Sequence, residues 1–207
     1  MPNFKSPLII INFKNYEESS GENAVKLARL AEQVGKRGEC EFVVAVTALD
    51  LSRVVEAVDI PVFIQHVDGQ EIGSSTGSVL PEFACKIGAK GVILNHSEKR
   101  LAPKDVSGLV ERCNKLGLIT VLCVESLSEA VEYDLFSPHY IAVEPPELIG
   151  GNISVSKANP EIISESNRSL KNSRLIVGAG VKNREDIDIA ASLGATGVLL
   201  RSEEHTS

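Results

Sequence analysis

The chain has 207 residues, of which 43% are apolar and 24% charged, with a formal net charge of −7. Apolar residues this frequent and this dispersed exclude a disordered chain, and the acidic balance argues against a general nucleic-acid partner, whose phosphates demand a basic face. No apolar run approaches the ~20 residues of a membrane span, and the amino-terminal MPNFKSPLIIINFK turns polar too early for a secretory signal. The four cysteines, Cys40, Cys85, Cys113 and Cys123, show neither CxxC nor zinc-ligand spacing. They read as core thiols of a cytoplasmic protein.

In chain order, Leu8–Phe13 reads as a strand and Gly21 to Val34 as a helix with Ala24, Leu27, Ala28 and Ala31 on one side. Strands at Glu41–Val46 and Val62–Gln65 alternate with helices over Asp50–Ala57 and Val79–Ile87. Strand Gly91–Asn95 leads to a helix from Pro103 to Gly117, whose Val106, Leu109, Val110, Cys113 and Leu116 form one stripe. After strand Ile119–Val124, Ser126 and Glu129 have the spacing of a capping box. Strand His139–Val143 precedes a helix start at Asn159-Pro160, and strand Arg174–Val177 precedes a weaker helix over Asp186–Leu193, with Asn183 as its cap. The last strand is Gly197–Leu200. An octapeptide repeats: Ile87–Leu94 matches Leu193–Leu200 nearly position for position, which fits either common helix-to-strand loop chemistry or an old duplication.

Eight aliphatic strands separated by seven helices specify a parallel α/β sheet. The first strand runs into Asn12-Phe13-Lys14 rather than a glycine-rich loop, so an open dinucleotide-binding sheet is disfavoured. The expected fold is a (β/α)8 TIM barrel in one domain, residues 1–200.

In such a barrel, chemistry sits at the carboxyl ends of the strands. There the sequence places Asn12 and Lys14, two apart and on one side with Phe13 on the other; Asn95-His96-Ser97-Glu98 after the fourth strand; Glu144 after the sixth; and Gly178-Ala179-Gly180 after the seventh. Each alone has an ordinary reading, as a solvated lysine, a structural histidine, a strand-ending glutamate or a tight turn. Together they supply a cation, a hydrogen-bond donor, a carboxylate base and a backbone cradle for an anion. That set suits proton abstraction beside the carbonyl of a small phosphorylated substrate.

The stretches Ile11–Tyr16, Gln65–Asp68, Gly73–Gly77, Leu94–Glu98, Val143–Gly150 and Gly178–Gly180 together resemble the triosephosphate isomerase family, in its shorter archaeal-type branch. The resemblance implies interconversion of dihydroxyacetone phosphate and glyceraldehyde 3-phosphate through an enediolate. By the same resemblance, Glu144 is the base, His96 a neutral electrophile and Lys14 the cation, with Glu98 orienting Lys14. Substrate contacts fall to Asn12, Phe13, Lys14, Ile149, Gly150, Gly180 and Ser202. Ser97 is expected to cap a short helix starting just after His96. No metal and no organic cofactor are implied. The partners implied are the phosphorylated triose and further copies of the chain, a dimer or tetramer in which Thr76 of the Gly73–Gly77 loop reaches a neighbour's site.

Two departures stand out. Residues Ile149-Gly150-Gly151-Asn152 stand where the family has Ile-Gly-Thr-Gly, in a segment, Pro145 to Asn152, expected to cover the substrate. Residues 201–207 are expected to be a non-native tail, because the heptapeptide reads as an in-frame translation of a common sequencing-adapter oligonucleotide; the barrel is then expected to lack its last helix, exposing Ile9, Ile11 and Leu199. Two other readings are a different sugar-phosphate barrel, such as an epimerase or lyase, and a non-catalytic barrel. The first does not account for the Asn12, Lys14, His96 and Glu144 set, and the second is what a truncation could produce.

Overall fold

The computed structural model describes Phe4 and residues 6–148 and 154–201. Eight parallel strands hydrogen-bond in sequence order into a closed barrel: β1 (Leu8–Asn12), β2 (Glu41–Val46), β3 (Val62–Ile64), β4 (Gly91–Leu94), β5 (Ile119–Val124), β6 (Tyr140–Val143), β7 (Arg174–Val177) and β8 (Gly197–Arg201). The seam joins β1 to β8, with Leu8 opposite Gly197 and Asn12 opposite Arg201. Around the strands lie α1 (Glu22–Gly35), α2 (Leu51–Ala57), α3 (Pro81–Ile87), α4 (Pro103–Lys115), α5 (Leu127–Asp134), α6 (Val155–Ala158), α7 (Pro160–Ser169) and α8 (Arg184–Ser192). The single turn α6 is an addition to the elements expected from the sequence. Among the described residues no helix is long and apolar enough to cross a membrane.

The caps read from the sequence are in place. Ser126, Asn159 and Asn183 accept the backbone N–H of Glu129, Ile162 and Asp186 at 3.2, 3.2 and 3.0 Å. Each such cap stabilises its helix by about 1 kcal/mol.

Alternation along the strands sorts the apolar residues into two clusters. Leu8, Ile10, Phe63, Ile93, Cys123, Ala142, Ile176 and Leu199 fill the barrel interior, while Ile9, Ile11, Val44, Leu94, Val143 and Leu200 pack outward with the helices. Two steps beyond the last inward apolar residue on β1, β3, β4, β6 and β7 come Asn12, Gln65, Asn95, Glu144 and Gly178. The inward column therefore changes from hydrocarbon to polar at the carboxyl end, which is where the site forms.

Close packing explains part of the octapeptide repeat. A β-carbon on Gly197 would lie 2.1 Å from the Leu8 carbonyl oxygen, and one on Gly91 would lie 2.5 Å from that of Ile119. Each copy's strand-opening glycine is required by the neighbouring strand, as the loop-chemistry reading needs. One expectation is corrected. Ile9, Ile11 and Leu199 are each only 5% exposed: the two isoleucines share the outer cluster with Ala24, Ala28 and Ala31 of α1, and Leu199 points into the barrel. Arg201, assigned to the tail, continues β8 as far as Asn12. Residues 202–207, and with them whatever follows β8, lie outside the described residues.

Candidate active site

At the end of β1, the Asn12 side chain accepts the Lys14 backbone N–H at 3.1 Å, and Lys14 adopts the left-handed region at φ 50°. Gln65, just past β3, donates from Nε2 to the Lys14 carbonyl at 3.0 Å and fixes that turn from across the barrel mouth. The Lys14 ammonium meets Glu98, with Nζ 2.6 Å from Oε1. Lys14 is largely enclosed and Glu98 sits at the rim, so the pair aims the amine from the solvent side.

His96 is buried at the end of β4. The Glu98 backbone N–H donates to its Nδ1 at 3.2 Å. A ring nitrogen that accepts a hydrogen bond carries no proton, so the imidazole's own proton belongs on Nε2. Nε2 stands 3.8 Å from Glu144 Oε2. That is too long for a hydrogen bond and close enough for both atoms to address one small molecule.

The short helix expected after His96 is absent. Residues 97–99 form one turn, closed by the Lys99 N–H on the His96 carbonyl at 2.8 Å, and α4 begins only at Pro103. Ala102 is extended, at ψ 133°, as a residue preceding proline must be, and this prevents an earlier start. The imidazole is oriented by a local amide rather than by a helix terminus.

Glu144 follows β6 and is 6% exposed. Its Oε2 has no hydrogen-bond partner among the described residues. Leaving a buried carboxylate oxygen unsatisfied is costly, and such groups mark sites kept for a ligand or reaction. Gly178 provides the room, since a β-carbon there would lie 2.5 Å from Glu144 Oε1. On the other side stands Cys123, whose thiol is pushed well above its usual range by burial and then by the Glu144 charge.

After β7, Ala179 and Gly180 are both left-handed, at φ 69° and 67°. Tight backbone turns of this kind direct N–H groups toward anions. The turn is braced: the Ala179 carbonyl accepts the Val155 N–H at 3.2 Å, while Asp186 accepts Ser154 Oγ–H and the Lys182 N–H, both at 3.0 Å.

A cavity of about 260 Å³ opens among Asn12, Lys14, Gln65, His66, His96 and Glu98. The structure thus brings together Asn12, Lys14, His96 and Glu98, with Glu144 beside His96. Phe13 turns away, its ring fully buried in the outer core. Ile149, Gly150 and Ser202 lie outside the described residues. Gln65 was not singled out as a site residue, and Gly178 was read only as part of the anion-binding turn, not as the neighbour of Glu144; the signal for both was their place two steps beyond an inward-facing apolar residue. Among the described residues no group of three His, Cys, Asp or Glu side chains is arranged to hold a metal ion.

Fold and site together define a (β/α)8 barrel whose strand ends hold an amine, an imidazole and a buried carboxylate. The sequence profile of triosephosphate isomerase matches residues 7–204. The chain is 44% identical over 200 residues to the triosephosphate isomerase of Methanothermus fervidus, covering 95% of this chain and 90% of that protein. It is 43% identical over 199 residues to that of Methanocaldococcus jannaschii, covering 94% and 91%. The crystal structure of triosephosphate isomerase from Bartonella henselae is similar with a TM-score of 0.75 at 22% identity, over 95% of this chain and 92% of that one, a likeness of fold. The chain belongs to the triosephosphate isomerase family, isomerases that interconvert triose phosphates.

Proposed function

We propose that this chain interconverts dihydroxyacetone phosphate and D-glyceraldehyde 3-phosphate by moving one proton between adjacent carbons on Glu144. The carboxylate takes a proton from C1 of the ketone, and the C–H electrons flow through a new C1–C2 double bond onto the carbonyl oxygen. The resulting enediolate takes the proton back at C2 as the hydroxyl proton passes from one oxygen to the other, which gives the aldehyde. His96 donates from Nε2 to the oxygen that gains charge. Lys14, oriented by Glu98, offsets the negative charge of intermediate and phosphate; Asn12 positions the substrate, and the turn at Gly180 receives the phosphate.

The observation that carries this reading is the 3.8 Å separation of His96 Nε2 and Glu144 Oε2, with Nδ1 engaged by an amide. It supports a donor and a base that act on the same edge of a three-carbon substrate, the base through its free Oε2. A positioned base contributes roughly 10²–10⁴ in rate, and each donor at a developing oxyanion about 3–4 kcal/mol.

The same reading makes the protein a cytoplasmic homo-oligomer, dimer or tetramer. Supporting this, the loop after β3 presents Ile72 at 60% exposure, while Arg112 of α4 donates to the loop carbonyls of Gly69 and Gln70 at 3.2 and 2.8 Å. Light scattering on the purified chain reads the oligomer directly.

A coupled assay with D-glyceraldehyde 3-phosphate tests the reaction. Turnover is expected, with Glu144→Gln lowering kcat by at least ~10²-fold. A wild-type chain without turnover overturns the reaction, and a Glu144→Gln variant with near-normal kcat overturns the base.

A further inference from the structure

We propose that Asn95 is a positioning residue for His96, holding the imidazole at its angle to the substrate by tying both ends of the 95–101 loop to β5. The inference rests on His96 acting as a donor, and it comes from three properties of a residue that does not itself line the cavity. Asn95 is 1% exposed. Its backbone is left-handed at φ 60°, a conformation that side chains other than those of Asn and Asp rarely accept. Its carboxamide is used at both ends: Nδ2 donates to the Cys123 carbonyl at 2.9 Å, and Oδ1 accepts the Leu101 N–H at 3.0 Å.

The geometry needs a left-handed backbone, a donor and an acceptor at one position. Glycine supplies only the first, and aspartate lacks the donor when ionised. Asparagine alone supplies all three. The left-handed residue turns the chain as β4 ends, so that His96 enters the site next. The bond to Leu101 closes the loop into a ring that contains the Glu98 amide on His96 Nδ1. The bond to Cys123 fixes that ring to the strand flanking Glu144. Donor and base thereby share one frame, and movement of a reacting group by about 1 Å is enough to cost ~10²-fold in rate.

The test compares wild type with Asn95→Gly, which keeps the backbone conformation and loses both side-chain bonds. Two readouts are taken: steady-state kinetics, and the ¹⁵N shifts of the His96 ring nitrogens, assigned by their loss in His96→Gln. The expected result is a kcat lowered at least tenfold, a KM within about threefold, and His96 shifts moving from a single tautomer toward an average. If Asn95→Gly does not fold, Asn95→Asp, which keeps the acceptor, takes its place with the same expectations. A folded variant with wild-type His96 shifts, or with kcat within twofold of wild type, overturns the proposal. A wild-type chain without turnover overturns the functional reading instead, and the nitrogen shifts still decide whether Asn95 positions the ring.

Discussion

The α-carbon of Gly178 faces the carboxylate of Glu144 so closely that one added methyl group would stand 2.5 Å from its Oε1 and Cγ. The neighbour is a side chain rather than backbone, so the fold can yield by turning Glu144 from Cγ outward and swinging the carboxylate aside. Gly178→Ala is therefore expected to shift the unfolding midpoint little while lowering kcat at least tenfold. Paired urea titrations and kinetics check this; a fall in both by the same proportion refutes it.

Glu98 has two jobs that substitution can separate. Its backbone N–H orients His96, and its carboxylate holds Lys14 at 2.6 Å. Glu98→Gln keeps the first and loses the charge. A rim-exposed pair of this kind contributes about 1 kcal/mol or less to stability, so the variant should stay folded. Its KM for the phosphorylated substrate should rise several-fold as Lys14 loses its fixed direction, which initial-rate kinetics will measure.

At the opposite end of the barrel, buried Asp134 accepts the backbone N–H groups of Lys171, Asn172 and Ser173 at 2.8 to 3.2 Å. Asp134→Ala should destabilise the chain by about 1–3 kcal/mol, because three part-buried backbone donors lose the carboxylate they share. Its kcat at 25 °C should be unchanged, since the turn lies far from the site; denaturation curves and the coupled assay separate the two effects.

His139 gives a pH dependence with a definite sign. Half-buried before β6, it accepts the Thr120 N–H at Nδ1 at 3.1 Å, and burial lowers its pKa below the usual histidine value. The unfolded chain thus binds the proton first. This contribution to stability is complete above about pH 6.5 and is lost as pH falls from there toward the lowered folded value. Unfolding midpoints between pH 7.5 and 5.5 should fall with pH in the wild type and fall less steeply in His139→Gln.

Thiol reactivity should divide the cysteines. Burial pushes Cys113 to about 12 and Cys123 well above its usual value; it raises Cys40 too, but Cys40 and Cys85 are only partly enclosed. Iodoacetamide at pH 8 should modify Cys40 and Cys85 in the folded chain, and Cys113 and Cys123 only after denaturation. Peptide mapping by mass spectrometry reports each site.

The strands were legible because a parallel barrel buries both faces and writes near-continuous aliphatic runs. That same property hid which face was inward: Leu199 and Leu200 look alike in sequence, and only the register of Ile10 opposite Leu199 places one inside. Asn12, Lys14, His96, Glu98 and Glu144 were readable as polar residues ending apolar strands. The contacts that hold them were not, since Gln65 on the Lys14 carbonyl, and Asn95 on Cys123, join segments whose approach depends on barrel closure. The helix expected after His96 ends as the one turn closed by Lys99, and the extended Ala102 before Pro103 keeps α4 from reaching back to it.

The pairing of Leu8 with Gly197 has a bearing on how such a chain is made. Until the ribosome releases the eighth strand, the first has only its second-strand neighbour, and its other row of peptide groups stays open. Segments far apart in the sequence must meet before the last edge vanishes, so assembly is slow relative to proteins stitched from local contacts, and the first strand is exposed to mispairing until the eighth has been made.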